Sequence, residues 1–298
     1  MSDIWYAPYQ LHSVATLNAR SQRRSFAGAL IRQGSGFGCV HPWPELGDPP
    51  LQDCLADPES VLMKRALLCA TADGLAREKG VSLLQNQCVP ESHATLPAAS
   101  HDSVERALHA GFKAVKVKAK QSLGELKSLI RDFPQLRWRV DFNGSADGGS
   151  LQEDLRGLET FVDFIEDPFP FDSLRWAAFE KVTGVSLAND WSVEKGMGCG
   201  VHIIKPAVND PKPIMRRSGR KIFTSYMDHP LGQTFAAWQA ASFEEADGTH
   251  GLQTHHLFEP NPFSEILGPH RPGFQNPPGT GLGFDSLLES LDWIRLDV

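Results

Sequence analysis

Three acidic residues stand at the ends of short apolar runs: Asp141 closes 136–141, Glu166 closes 161–166 and Asp190 closes 185–190. The intervals from 141 to 166 and from 166 to 190 are 25 and 24 residues, about one strand-helix unit each. A carboxylate at the same point of three successive units would bring three hard oxygen ligands to one cation. With no His or Cys at these run ends, that donor set favours Mg²⁺ over zinc. Lysines flank the acids: Lys116 and Lys118 upstream in Val115-Lys116-Val117-Lys118, Lys205 downstream in Ile204-Lys205-Pro206. Two residues apart on a strand, Lys116 and Lys118 point to one face. Neighbouring ammonium groups disfavour each other's charge, which moves at least one toward a usable general base. Taken singly, Asp190 also reads as a helix cap, Asp141 as an Asx turn with Asn143-Gly144, and Glu166 as half of an ion pair. Jointly the pattern predicts a metal between two amines, and an enzyme.

These side chains need strands to carry them. From about residue 86 the chain alternates: helix 101–110, strand 114–117, helix 123–133, strand 136–142, helix 150–158 from a Ser150 cap, strand 161–166, helix 173–182 and strand 185–188. Strands 201–204 and 221–225 and helix 233–243 follow. Such alternation implies parallel strands with right-handed crossovers. Chemistry at the ends of at least five successive strands favours a barrel, because an open sheet concentrates it at one switch point. The expected fold is α/β: a TIM-type (β/α)7β barrel over 86–260, an N-terminal α+β capping domain over 1–85, and a segment 261–298 packing back on the cap. Within the cap, strands are expected at 14–17, 25–31 and 39–41, and a helix over 58–79 ending at Gly80; the tail carries an amphipathic helix over 284–291. Asp190 and Lys205 are only 15 residues apart, too few for a full helix with both loops, so 191–200 is an abbreviated crossover.

The 298 residues suffice for one barrel of roughly 200–250 residues and a smaller unit. A net charge of −7 argues against nucleic acid and anionic membranes as partners. Neither a signal peptide nor a run of about 18–20 apolar residues is evident, and five scattered cysteines without CxxC spacing suit a reducing compartment. The expectation is a cytoplasmic protein acting on a small molecule, its oligomeric state open. Gly34-x-Gly36-x-Gly38 and Gly279-x-Gly281-x-Gly283 lack the strand–GxGxxG–helix context of a nucleotide site and read as turns. His255 and His256 read as surface or interface residues, and Trp138, Trp176, Trp191 and Trp238 as core.

Lys116-x-Lys118, Asp141-x-Asn143, Glu166-Asp167-Pro168, Asn189-Asp190 and Ile204-Lys205-Pro206 together resemble the active-site motifs of the enolase superfamily, muconate-lactonising subgroup. Members of that superfamily pair a Lys or His base with Mg²⁺ that stabilises an ene-diolate. The 225–232 stretch, Ser225-Tyr226-Met227-Asp228 onward, is similar to the seventh-strand substrate loop. Within the subgroup the resemblance is strongest to the o-succinylbenzoate synthases of menaquinone biosynthesis, which dehydrate 2-succinyl-6-hydroxy-2,4-cyclohexadiene-1-carboxylate, a dicarboxylate. The resemblance implies Mg²⁺, with Mn²⁺ as substitute, on Asp141, Glu166 and Asp190. It implies Lys118 as the base that forms the enediolate and then assists loss of the hydroxyl, Lys205 as the opposing ammonium, and Lys116 as the neighbour that depresses Lys118. Asn143, Ser225, Tyr226 and Arg24, the last in an 18–24 lid, are the implied substrate contacts. Racemisation of N-acylamino acids or epimerisation of dipeptides uses the same two lysines and stays open. So does a non-catalytic barrel that binds an anionic metabolite.

Overall fold

The computed structural model describes residues 3–17, 22–194, 199–243 and 248–297; positions 18–21 of the expected lid and 195–198 of the expected crossover lie outside them. Strands β1 (Ile4–His12), β2 (Ser25–Gln33) and β3 (Gly36–Val40) form an antiparallel meander, with Ile4 opposite Gln33 and His12 opposite Ser25. The first strand therefore lies upstream of the expected 14–17. Bulky residues of Ile4-Trp5-Tyr6 and the buried Ala7 and Leu11 hold β1 in the sheet, whereas the chain bends away after Ser13 bridges Phe258. Helices α1 (Leu51–Ala56) and α2 (Val61–Glu78) cover one face. A Cβ on Gly36 would stand 1.8 Å from the Ala70 carbonyl oxygen, and one on Gly38 2.1 Å from that of Ala66. These two glycines let α2 lie directly on β3; of the glycine run read as a turn, only Gly34, at φ 60°, turns.

The second unit is a seven-stranded parallel sheet in sequential order. Its strands are β4 (Ala94–Leu96), β5 (Ala114–Lys118), β6 (Arg137–Asp141), β7 (Val162–Glu166), β8 (Leu187–Asn189), β9 (Val201–Ile204) and β10 (Arg220–Phe223). Helices α3 (His101–His109), α4 (Leu126–Asp132), α5 (Gly148–Asp154), α6 (Ser173–Thr183), α7 (Pro211–Met215) and α8 (Pro230–Ser242) intervene or follow. Their starts are set by side chains: Ser100 and Ser103 form a capping box on α3, and Asp172 caps α6, which Gly184 ends at φ 69°. Asp147, not Ser150, caps α5, its carboxylate accepting from the Ser150 N–H. Between β8 and β9 the described residues contain no helix, in keeping with the short interval. Thr224 bridges Gly251 and Ser92 bridges His250, both in parallel sense, so 250–251 touches the sheet at both of its edges. Coarsely, the α/β expectation holds: a parallel sheet with an antiparallel N-terminal unit.

Alternation along the strands sorts the side chains. Val115, Val117, Trp138, Val140, Ile165 and Leu187 pack outward against helix residues such as Ile130, Leu151 and Trp176. The opposite parity carries Lys116, Lys118, Arg139, Asp141, Phe164 and Glu166. Register aligns Lys118 with Asp141 and Asp141 with Glu166. That second alignment depends on a bulge: Trp138 pairs with Val162 but Arg139 with Phe164, which leaves Asp163 unpaired in the ladder. Asp163 binds Arg139 at 2.8 Å and Arg220 at 2.9 Å.

Helix α9 (Pro262–Leu267), helix α10 (Asp285–Glu289) and strand β11 (Ile294–Arg295) complete the chain, β11 pairing antiparallel with β1. Of the two histidines expected at the surface or an interface, His255 is buried and His256 half-buried. His255 is buried in a short 3-10 turn, and His256 stacks on His270 with ring centroids 3.4 Å apart. All five cysteines are free thiols, four of them buried. Among the described residues no helix is long and apolar enough to cross a membrane.

Candidate active site

A cavity of about 420 Å³ opens at the C-terminal ends of the parallel strands, walled on one side by cap residues Leu46 and Asp48. Strand ends supply Lys116, Lys118, Asp141, Asp190 and Lys205; the 224–227 stretch supplies Thr224, Ser225 and Tyr226. The Lys116 amine lies 2.6 Å from Glu166 Oε1 and 3.3 Å from Asp141 Oδ2. Burial acts to lower its proton affinity, but the charges of Glu166, Asp141 and Asp190 outweigh that and hold it above the ordinary lysine value. Lys118 behaves oppositely. Burial, with help from the nearby Lys116 and Lys205, moves its amine below the usual lysine value against the pull of Asp141 and Glu166. Its Nζ donates to the Leu17 carbonyl at 2.7 Å. Lys205 Nζ is paired with Asp190 and stands 5.6 Å from the Tyr226 ring centroid.

Oxygens of Glu166, Asp167 and Asp190 lie within 4.8 Å of one another. Asp141, the remaining member of the expected triad, is outside that group and reaches Glu166 through the Lys116 ammonium. Asp167 has both oxygens engaged: Oδ1 accepts from the Asp190 N–H at 3.2 Å and Oδ2 from that of Trp191 at 3.1 Å. Held at φ 40°, it shapes the loop that carries Asp190. Glu166 Oε2, by contrast, is buried without a hydrogen-bond partner. Burial raises the Glu166 carboxyl to about 7, and Asp141 and Asp190 add to the rise against Lys116. An all-oxygen donor set, surplus carboxylates and an orphaned buried oxygen fit a hard divalent cation.

The remaining expected residues divide. Asp141 makes the Asx turn with Asn143, whose N–H lies 3.0 Å from Oδ1, and Asn143 lines the cavity as well. Ser225 Oγ is 2.8 Å from Thr254 Oγ1. Tyr226 OH donates to Asp48 Oδ2 at 2.8 Å. Arg24 lies apart from these: its guanidinium binds the carbonyls of Ser13 and Val14, and it is not among the residues that line the cavity. Those carbonyls, freed where the chain leaves the sheet, capture it. Trp191 is 48% exposed and lines the cavity, so it is not core as expected.

Sequence reasoning missed Asp48, Thr254 and His93. His93 Nδ1 must accept from Arg139 at 2.8 Å, and burial followed by the charges of Arg139 and Lys116 keeps the ring neutral. Nothing local in the sequence marks these residues, which reach the cavity only through tertiary folding. Asp167 stands directly after Glu166, just past the same run, and was legible as a further acid.

The fold is that of the enolase superfamily. Solved structures superpose over nearly the whole chain: a dipeptide epimerase from Cytophaga hutchinsonii complexed with Mg and D-Ala-L-Val (TM-score 0.76, 16% identity, 99% of both chains), and a superfamily member from Roseovarius nubinhibens complexed with magnesium (TM-score 0.75, 17% identity, 95% of this chain and 94% of that one). At such identities these likenesses speak for the fold alone. More particularly, residues 4–76 match the family described as O-succinylbenzoate synthase, N-terminal domain. The o-succinylbenzoate synthase of Bdellovibrio bacteriovorus is 28% identical over 100% of both chains. The resemblance carried by the motifs thus extends to the cap and to the full length.

Proposed function

We propose that this chain is a divalent-metal-dependent o-succinylbenzoate synthase, converting 2-succinyl-6-hydroxy-2,4-cyclohexadiene-1-carboxylate to o-succinylbenzoate in menaquinone biosynthesis. The observation that carries the reading is Lys118, an amine lowered by burial in the same cavity as the carboxylate cluster. The full-length relative narrows it to this reaction. The barrel we infer is (β/α)7β, with 250–251 in the place of an eighth strand, a cap over 1–85 and a tail over 261–298.

Asp141, Glu166 and Asp190 would hold Mg²⁺ or Mn²⁺, while Asp167, saturated by backbone N–H groups, orients Asp190. When bound, the metal supplies positive charge that stabilises negative charge developing on the substrate carboxylate. Lys118 takes the proton α to that carboxylate: the C–H bond breaks, a new N–H forms, and the electron pair passes into the enediolate. The ammonium then returns a proton to the departing hydroxyl, which leaves as water while the ring becomes aromatic. Lys116, kept protonated, balances Glu166 and Asp141. Lys205 stays an ammonium opposite the base, and Ser225, Tyr226 and Asn143 supply polar contacts to the substrate.

Ultraviolet-monitored turnover of the cyclohexadiene with and without Mg²⁺ tests the reading; no absorbance change at any metal concentration refutes it. Because Lys118 and Lys205 line one cavity, α-proton exchange of N-succinylamino acids in deuterated water distinguishes a racemase, which exchanges and racemises them without dehydrating the diene.

A further inference from the structure

One wall of the cavity carries a hydrogen-bond donor to which the proposed reaction gives no work. His93 directly precedes β4; it shares the inward parity of Thr95, while Ala94 between them packs outward with the helix-facing core. The residue is 2% exposed and lines the cavity. Its N–H donates to the His250 carbonyl at 2.7 Å, and the Gly251 N–H donates to that of Phe223 at 2.8 Å. Residues beside the two edge strands, β4 and β10, thus meet across Gly251. A Cβ on Gly251 would stand 2.7 Å from His93 Cε1, 2.9 Å from its Nε2 and 2.8 Å from Thr224 Cγ2. Because Gly251 does not have a positive φ, what the position requires is space, and that space is taken by the Cε1–Nε2 edge of the imidazole.

The tautomer follows from the other edge. Arg139 Nη1 lies 2.8 Å from His93 Nδ1. A guanidinium only donates, so Nδ1 accepts and the hydrogen of the neutral ring sits on Nε2. Asp163 holds Arg139 from behind at 2.8 Å, which fixes the guanidinium on the ring. Among the described residues the Nε2–H has no hydrogen-bond partner. Thr224 Oγ1, on the other side of Gly251, is likewise buried without one. This wall is short of an acceptor.

We infer that His93 is a substrate-binding residue whose Nε2–H donates to the ketone oxygen of the succinyl chain. The inference rests on the reaction proposed above. There the metal takes the ring carboxylate and Lys118 serves the hydroxyl, which leaves the ketone and the terminal carboxylate of the chain to other groups. A terminal carboxylate is best met by an ammonium, whereas a neutral N–H suits a neutral carbonyl. The ketone is attached to the ring carbon beside the one that loses its proton. Charge in the resulting anion is spread over alternate ring carbons, and that carbon is not one of them. The bond is therefore as strong in the ground state as in the transition state, and its removal raises KM rather than lowering kcat.

Two stable ligands, each with Mg²⁺ and the full chain, test this: o-succinylbenzoate, and its analogue with a methylene in place of the ketone. In protein carrying isotope-labelled histidine, the Nε2 proton signal that is missing from His93→Gln moves downfield on binding o-succinylbenzoate. With the methylene analogue it stays in place. By calorimetry and turnover, His93→Leu binds o-succinylbenzoate about five- to tenfold more weakly and raises KM by about as much, with kcat within about threefold. It binds the analogue as the wild type does. His93→Gln, whose amide N–H reaches the same place, restores most of the affinity. A proton that is unmoved, or that moves equally with both ligands, overturns the inference, and the wild-type spectra decide this even where His93→Leu does not fold. Equal weakening of both ligands in His93→Leu, the mark of a merely structural role, overturns it as well. If the wild type still dehydrates the cyclohexadiene, the proposed reaction survives these failures; a wild type that binds neither ligand and leaves the diene unchanged overturns both.

Discussion

The Lys118 amine is hydrogen-bonded to the Leu17 backbone carbonyl at 2.7 Å, so the proposed base on the parallel sheet is positioned by a residue of the N-terminal unit. Leu17 is itself anchored in the cap core beside Phe26 and Leu257. Lys118→Ala is expected to lower kcat by at least about 10³-fold, within the usual span for a general base, and to leave the circular-dichroism spectrum unchanged. Wild-type turnover in that variant would end the assignment.

The acid limb of kcat/KM follows deprotonation of Lys118, whose amine is lowered by burial and then by Lys116. Lys116→Met removes one positive neighbour and leaves Asp141 and Glu166 less neutralised. Both changes favour protonated Lys118, so the limb moves to higher pH. A pH–rate profile that is unmoved or displaced toward acid contradicts this.

Exhaustive chelation is expected to abolish activity, and Mg²⁺ or Mn²⁺ to restore it. Glu166→Gln and Asp190→Asn should weaken metal binding at least about tenfold by calorimetry, because hard cations favour charged oxygen ligands. Asp167→Asn should weaken it less, since both Asp167 oxygens already serve backbone N–H groups.

Arg24→Ala is expected to leave kcat/KM within about threefold of wild type, its guanidinium being held by the carbonyls of Ser13 and Val14. A large rise in KM would show that Arg24 swings into the cavity.

Asp228 is buried with Oδ1 unpartnered, and burial raises its carboxyl to about 7. A carboxyl raised on folding binds more protons in the native than in the unfolded state. Its stability contribution is therefore full below the ordinary value near 3.9 and declines as pH climbs through about 7. Asp228→Asn should accordingly raise Tm at pH 8, by on the order of 2–4 kcal/mol in stability, with the gain shrinking toward pH 4. An equal effect at both pH values contradicts the assignment.

The strand ends were legible in sequence because each apolar run stops at a charged residue, and a carboxylate closing such a run has few alternatives to a shared site. Lys116, Lys118 and Lys205 were legible for the same reason. Asp48, His93 and Thr254 were not, since they come from the N-terminal unit and from segments flanking the parallel strands, and only tertiary packing brings them to the wall. The placing of Arg24 on the Ser13 and Val14 carbonyls was not legible either, because a basic residue in a loop carries no mark of which oxygens will claim it. The cap strand was displaced to Ile4–His12 because the apolar 14–17 stretch resembles a strand in composition, yet it lies beyond the point where the chain leaves the sheet.

The unpaired Asp163 has a consequence for how sequences of this kind can change in length. Side chains switch faces with every residue, so pairing Asp163 into the ladder, or inserting one residue beside it, would bring Ile165 rather than Glu166 opposite Asp141 and send the carboxylate toward the helices, whereas deleting Asp163 itself would leave Glu166 opposite Asp141. Connecting segments such as the one joining Asp190 to Lys205 can shorten without disturbing that phase. Single-residue gains should thus accumulate between the strands and be purged from the stretch just before Glu166.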